Sequence, residues 1–564
     1  MKRDLTALSR PLYDVAVVGG GIYGICALYE AARRGLAACL LERGDFVGAT
    51  SSNSLKTIHG GLRYLQHADL SRMRESIRER ARLLRVAPHL VRPLPFVIPT
   101  YGYGLHSKPV MRTALLLNDA IGFDRSAGVI PGRALPRGRV IGRKEIGDLV
   151  PGLDTRGLSG GAVWYDCQVA NTERLALAYL HSAVEAGAHC ANYTEVTGLL
   201  LKNGRVGGVV ACDGLNGDTF EVRARTVLNA AGPWVDRLLG ELPAAPKRFH
   251  PSKAFNLVTR QLHAGHAIGF TAPTSFRDTD AVLNKGDRLF FVVPWKQFSL
   301  IGTRHLPYQG DPDRFRITEE DVELFLDEIN AACPSAGLGR ADVVGVLGGM
   351  LPEIPREKTG EVQLVKHSKV YDHSVDGAQG LVSVVGVKWT TSRSAGEEAV
   401  DAVEAMLRPG AAPRHPPEQP LSGGDIGDLD RFTGAEEAGR PAALSPASMR
   451  HLLENYGTTS REIIALVRRD PALGCQLSDA SPVVAAEVVF GVEQEMAQHV
   501  SDVALRRTEL AAAGHPGREA LGRCAELMGS RLAWSGQRIE AELDQADSLL
   551  QGAAPVSSAE RNRL

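Results

Sequence analysis

The sequence predicts a doubly wound α/β domain that is followed by a separate helical domain, and three features predict it. A short β-branched run, Val15-Ala16-Val17-Val18, enters the glycine turn Gly19-Gly20-Gly21-Ile22-Tyr23-Gly24. Ile25 to Arg34 then reads as a helix closed by Gly35, and Ala37 to Leu41 as a second strand, which completes a βαβ unit. From Ala443 to Leu550 the apolar residues recur at helical spacing with few strand signals.

At 564 residues the chain exceeds what one hydrophobic core covers, so about two to four domains are expected. Lys plus Arg number 64 and Asp plus Glu 65, a balance that gives no global attraction to nucleic acid. The cysteines, Cys26, Cys39, Cys167, Cys190, Cys212, Cys333, Cys475 and Cys524, form no CxxC pair or Cys/His cluster. They read as reduced cytoplasmic thiols, and no metal site is expected. Met1 to Asp14 is polar and the first apolar stretch is broken by glycines, unlike a secretory leader. No apolar run approaches the roughly 20 residues of a membrane-spanning helix. A cytoplasmic location is expected, with peripheral attachment to the inner face of the cell membrane left open.

Between these landmarks the periodicity alternates. Asp69 to Val86 carries Leu70, Met73, Ile77, Ala81 and Leu84 at helical spacing, and its many Arg and Glu residues read as a solvated face. A helix is expected to end near Ala186, followed by strands in Val206 to Ala211 and Thr226 to Asn229. Asn203-Gly204 and Asn216-Gly217 supply hairpin turns. Leu289 to Gly302 is rich in strand formers, and Pro409 to Pro420 reads as a linker.

Gly19, Gly21 and Gly24 follow a strand and open a helix, the context in which this spacing binds a dinucleotide. Gly19 permits the tight turn, Gly21 lets a pyrophosphate approach the backbone, and Gly24 lets helix and strand pack closely. Glu42 ends the second strand, where a carboxylate accepts ribose hydroxyls and disfavours a 2′-phosphate. The turn alone does not separate FAD from NAD.

The next segment bears on that choice. Thr50-Ser51-Ser52-Asn53-Ser54-Leu55-Lys56-Thr57-Ile58-His59-Gly60-Gly61-Leu62-Arg63-Tyr64-Leu65 concentrates hydroxyls, cations and a histidine in one loop-like stretch. It resembles the signature Thr-Ser-Ser-x-Ser-Ser-Lys-Leu-Ile-His-Gly-Gly-Leu-Arg-Tyr-Leu of the FAD-dependent glycerol-3-phosphate dehydrogenase family. The resemblance continues through Ala87 to Phe96, Asn229-Ala230-Ala231-Gly232-Pro233-Trp234, Val293-Pro294-Trp295, Leu300-Ile301-Gly302-Thr303, Gly310-Asp311-Pro312 and Lys388-Trp389-Thr390-Thr391. It reaches the helical region at Leu505-Arg506-Arg507-Thr508.

The resemblance implies a discontinuous FAD-binding (Rossmann-like) domain, a substrate domain built on an antiparallel sheet, and the helical C-terminal domain. The expected division is 1–100, 156–250 and 343–408 for the FAD domain, 101–155 for a cap segment and 251–342 for the substrate domain. A linker at 409–424, the helical domain at 425–551 and a disordered tail at 552–564 complete it. FAD contacts are implied for Gly19, Gly21, Gly24, Glu42, Thr50, Ser51, Ser52, Gly232, Gly386 and Thr390.

The implied reaction is oxidation of glycerol 3-phosphate to dihydroxyacetone phosphate, with a quinone or oxygen as electron acceptor and a homodimer as one admissible assembly. A secondary alcohol must lose its hydroxyl proton as the hydride leaves, so a base or cation has to sit beside it. His59 is the first candidate base, Arg63 and Lys388 are the catalytic cations, and Tyr64 matches a substrate-facing position.

The substrate end departs from the family. Gly-x-Arg-Pro-Leu is replaced around Met350, Lys-Gly-x-His becomes Lys253-Ala254-Phe255-Asn256, and Gly-Thr-Thr-Asp becomes Gly302-Thr303-Arg304-His305. Met350 cannot bind a phosphate. Losing one arginine contact costs about 1.5 to 3 kcal/mol, and Arg304, Lys253 or Lys366 are the expected compensating cations. The alternative reading is a pocket for a larger or unphosphorylated polyol, such as a cyclitol, aminocyclitol or amino sugar.

Overall fold

A computed structural model describes residues 1–102, 107–240, 242, 245–277, 286–354, 362–512 and 514–551. The expected tail at 552–564 lies outside these. The glycine turn joins strand Tyr13–Val18 to helix Ile22–Arg33, and the chain returns in strand Ala38–Leu41. Tyr13–Val18 pairs in parallel with Ala38–Leu41 on one side and Thr219–Asn229 on the other. The parallel sheet extends to His189–Ala191 and Leu381–Val385, with Lys369–Asp372 as an antiparallel edge. Because the paired strands are buried on both faces, they read as continuous apolar runs.

One face of this sheet carries helices Ile22–Arg33, Thr172–Glu185 and Ser392–Leu407. The other is covered largely by a meander of Thr194–Lys202, Arg205–Asp213 and the start of Thr219–Asn229. The expected Asn203-Gly204 turn is present with positive φ at both residues, the backbone of a tight hairpin.

The second sheet is mainly antiparallel and runs in the order Val343–Pro352, Pro251–Arg260, Phe298–Pro307, Gly286–Trp295, Ala267–Arg277, Val91–Tyr101, Leu158–Val169, Thr57–Ile58. Several of these strands come from segments expected to belong to the FAD domain, so the sheet crosses the division at 100, 156 and 342. Helix Glu319–Ala332 covers its back, packing Phe325 against Phe255 and Phe290. The helical region has its own core around Leu452, Ile463, Val488, Phe490 and Leu521 and includes a small hairpin of Gln476–Ser478 and Ser481–Val484. The linker lies against the FAD-binding half, with Leu421 N–H donating to the Val86 carbonyl. Among the described residues no helix is long and apolar enough to cross a membrane.

Helix Leu70–Val86 forms where its periodicity places it, capped by Asp69 accepting from Arg72 N–H. Met73, Ile77, Ala81 and Leu84 are buried, whereas Leu70 is exposed. The solvated-face reading of its charges fails at two positions, because Glu79 and Arg80 are also buried. Glu79 accepts both arms of Arg393, at 2.6 and 2.8 Å, and Arg393 also reaches Glu30 at 3.1 Å. Arg80 pairs with Asp166. Breaking a buried pair from one side leaves an uncompensated charge. Arg393→Met is therefore expected to destabilise the FAD-binding half by about 3 to 5 kcal/mol, read as a lower unfolding midpoint; an unchanged midpoint contradicts the assignment.

Candidate active site

Three segments meet at the glycine turn because side chains are absent there. Gly19 has φ +103° and a Cβ on it would lie 2.7 Å from the Ala230 carbonyl oxygen; one on Gly24 would lie 1.9 Å from the Gly19 oxygen. Glu42 accepts from the N–H groups of Gly20, at 2.5 Å, and Gly44, at 2.9 Å. The first turn of helix Ile22–Arg33 lines a cavity of about 640 Å³. Its size suits a small-molecule ligand, and the helix end suits a pyrophosphate.

The cavity is lined by Glu42, Arg43 and Arg237 and also by His59, Lys388 and Asn256. Its walls are fixed by bonds between distant parts of the chain. Ser51 Oγ accepts from Ile22 N–H at 3.0 Å, and Ser51 carbonyl accepts from Trp389 Nε1 at 2.9 Å. Thr50 Oγ1 accepts from Met350 N–H at 3.1 Å. Tyr23 hydroxyl accepts from the N–H groups of Val387 and Lys388, both at 2.9 Å, and donates to the Lys388 carbonyl at 2.7 Å. Gly386 packs against the Tyr23 ring, where a Cβ would have no room.

Around His59, its N–H donates to Thr390 Oγ1 at 3.3 Å, and the next residue, Gly60, donates to Asp166 Oδ1 at 2.6 Å. Asp166 also accepts from Trp164 Nε1 at 3.0 Å. The His59 ring lies edge-on to Tyr64 at 5.9 Å, and Lys388 Nζ and the Arg72 guanidinium both lie over the Tyr64 ring, at 4.4 and 4.3 Å. Burial first, then the Lys388 charge, holds the His59 imidazole below its ordinary range. Burial, aided by Arg72, lowers the Lys388 ammonium to about 7.

Of the residues singled out from the sequence, Gly19, Gly21, Glu42, Thr50, Ser51, His59, Gly232, Asn256, Gly386, Lys388 and Thr390 line the cavity, and so does Met350. Gly24 serves helix packing behind the turn. Ser52 lines a smaller adjoining cavity and donates to the Ala49 carbonyl at 3.1 Å. Tyr64 is buried beneath the cations without lining the main cavity, and Arg63 is exposed on the 3-10 turn Leu62–His67.

The expected compensating cations are placed elsewhere. Ala254 and Asn256 face the cavity, so the strand's alternation turns Lys253 to the opposite face, where its ammonium pairs with Asp321 at 2.8 Å. Arg304 likewise follows cavity-lining Thr303 and pairs with Glu328 of helix Glu319–Ala332 at 2.8 Å. Met350 stands opposite Lys253 in register, so its side chain joins the apolar cluster of Phe255, Val322 and Phe325 while its backbone meets Thr50. His305, opposite Ala254, and half-buried Lys366 are not among the lining residues. Asn256 is held between Thr303, which donates to its Oδ1 at 2.8 Å, and the Asn53 carbonyl, which accepts from its Nδ2 at 3.2 Å.

Residues 14–402 match the family model described as FAD dependent oxidoreductase, and residues 417–539 the one described as the C-terminal domain of alpha-glycerophosphate oxidase. The chain is 33% identical over 557 residues to a glycerol-3-phosphate dehydrogenase of Synechocystis sp., covering 96% of this chain and 97% of that one. The chain belongs to the FAD-dependent glycerol-3-phosphate dehydrogenase family. A mitochondrial member from Mus musculus is 32% identical over 569 residues, covering 97% of this chain and 74% of that protein. The fold is shared with the FAD-complexed glycerol-3-phosphate dehydrogenase of Bacillus halodurans, with a TM-score of 0.75 and 24% identity over 97% of this chain and 96% of that one.

FAD is the cofactor of this family, and the residues present fit it: a glycine cradle with no room for side chains, a helix end for the diphosphate and an acid at the end of the second strand.

Tyr23, Arg72 and Asp166 were not singled out from the sequence. Tyr23 occupies a variable position of the turn motif, and only the fold brings it to a carbonyl and two N–H groups more than 360 residues away. Tyr23→Phe leaves two buried N–H groups unpartnered, at about 1 to 3 kcal/mol. It is expected to weaken FAD retention about tenfold or more, measured by flavin release from the purified protein; wild-type retention contradicts the role.

Proposed function

We propose that this family member oxidises the secondary hydroxyl of glycerol 3-phosphate to the ketone of dihydroxyacetone phosphate. FAD held in the cavity would supply the two-electron oxidant for the carbinol carbon. The chain supplies proton removal and charge. His59, held neutral by burial and the neighbouring cations, has a lone pair for the hydroxyl proton. Lys388 faces the oxygen as negative charge develops on it, and Thr390 holds the backbone of His59 in place.

The observation that carries this reading is that His59 and Lys388 both line the cavity and meet, with Arg72, around the Tyr64 ring. An uncharged base in a positive field suits an anionic alcohol. Electrons leave to a quinone at a membrane surface, a route supported by the exposed apolar residues Leu116, Leu117 and Phe123 on and just after helix Lys108–Ile121.

A second reading rests on the sheet wall of the cavity. Ala254, Asn256, Thr303, Gly349 and Leu351 line it without a charge, and Lys253 and Arg304 are committed to helix Glu319–Ala332. This wall suits an unphosphorylated polyol or cyclitol. Anaerobic flavin reduction by a panel of glycerol 3-phosphate, glycerol, inositols and amino sugars separates the two. Glycerol 3-phosphate is expected to bleach the flavin at the lowest concentration; preference for an unphosphorylated ring favours the second reading, and no bleaching removes both.

In the same assay His59→Gln should slow reduction by about 10² to 10⁴-fold, and a wild-type rate excludes His59 as the base. The lowered Lys388 gives a sign for pH. Its ammonium is present below about 7 and is lost above it, so kcat/KM is expected to fall as pH rises past that point. Lys388→Arg keeps its charge throughout and should move the alkaline limb upward; an unmoved limb contradicts the assignment.

A further inference from the structure

The paired arginines Arg506-Arg507 lie in the helical domain and do not line the main cavity, yet both are buried against a residue of the FAD-binding half. Arg506 Nε donates to Asp45 Oδ2 at 2.6 Å, while Arg507 donates to both carboxylate oxygens of Asp45, at 2.6 and 2.7 Å. Consecutive residues of an α-helix project about 100° apart, so regular helix would not aim both at one carboxylate. Val503–Arg507 is a π-helical turn, a local rewinding of the kind that accumulates at functional positions.

The two arginines are themselves braced. Arg507 Nε donates to the Glu495 carbonyl at 2.9 Å, and Arg506 donates to Asp502 at 2.7 Å, which also accepts the Tyr193 hydroxyl at 2.6 Å. Asn192 Nδ2 donates to Asp45 Oδ1 at 2.9 Å and to the Met496 carbonyl at 2.8 Å. Paired with both cations, the Asp45 carboxylate is held well below the usual carboxylate range.

Asp45 begins the segment that carries the cofactor loop. Two residues on, Val47 has φ +63° and donates its N–H to the Gly20 carbonyl at 2.9 Å, so the bend is held against the glycine turn at a backbone conformation that disfavours a β-branched residue. Gly48, Ala49, Thr50 and Ser51 then line the cavity. The path from Arg507 to the cofactor site is therefore continuous: guanidinium, Asp45, the bend at Val47, and the Thr50-Ser51 wall.

We propose that Arg506 and Arg507 are cofactor-positioning residues: acting through Asp45, the helical domain holds the wall from Gly48 to Ser51 against the glycine turn, so that its docking and FAD affinity are coupled. Coupling of this kind is reciprocal. The proposal rests on FAD occupying the cavity and is independent of which alcohol is oxidised.

The test measures the dissociation constant of FAD for the full-length chain by flavin fluorescence, with folding checked by circular dichroism. Asp45→Asn and Arg507→Lys are expected to raise it about tenfold or more, since lysine keeps the charge and loses the forked geometry. Arg34→Met is the control. It breaks a comparably buried pair, Arg34 with Glu404 at 3.0 Å, within the FAD-binding half and apart from the residues that line the cavity, and should change FAD affinity by less than about threefold. Excess FAD should restore kcat to the Arg507→Lys enzyme with KM unchanged. FAD affinity within about threefold of wild type in folded Arg507→Lys overturns the proposal, as does an equal loss in the Arg34→Met control. Should Asp45→Asn not fold, Arg507→Lys alone decides.

Discussion

The contact between Gly19, Gly24 and Ala230 sets the geometry on which the rest of this molecule depends. Helix Ile22–Arg33 can lie on its strand only because Gly24 meets the Gly19 carbonyl directly, and the returning strand Thr219–Asn229 can enter only because Gly19 offers no side chain to Ala230. The cavity begins at the start of that helix, where Gly21, Ile22 and Tyr23 line it and Ile22 N–H donates to Ser51 Oγ. Everything placed further along, from Ser51 to Lys388, is positioned relative to that start.

Around this contact, buried polar side chains tie remote segments to the cavity wall. Tyr23 holds the last turn, Thr50 holds the edge strand of the substrate sheet, Asp166 holds the loop of His59, and Arg507 reaches Asp45 from the helical domain. Each tie is costly to break from one side, since a buried donor or charge left alone loses both water and partner. Such ties make the walls rigid, and a rigid wall keeps a base and a cation at fixed distance from a reacting carbon. The same burial that rigidifies the site also lowers the proton affinity of His59 and Lys388, so stability and chemistry draw on one arrangement.

The cofactor end was legible in the sequence because its constraints are local. Glycine spacing, the strand before it, the helix after it and Glu42 all fall between Val15 and Glu42, and the signature from Thr50 to Leu65 is contiguous. The substrate end was less legible because facing direction on a strand depends on register and on what covers the back of the sheet. Lys253 and Arg304 are out of phase with Asn256 and Thr303, and helix Glu319–Ala332 offers them carboxylates. Met350 shares their phase, so its side chain belongs to the core. The charges of helix Leu70–Val86 mislead for a related reason: a run of arginines and glutamates looks solvated until Arg393 and Asp166, both remote in sequence, arrive beside it.

In the proposed site His59 removes the hydroxyl proton as the carbon–hydrogen bond of the secondary alcohol breaks. Single-turnover stopped-flow reduction of the bound flavin by glycerol 3-phosphate deuterated at the secondary carbon tests this most directly. Reduction is expected to be several-fold slower than with the protiated substrate, the signature of carbon–hydrogen cleavage in the step observed. Equal rates for the two substrates, or a flavin that neither of them bleaches, would contradict it.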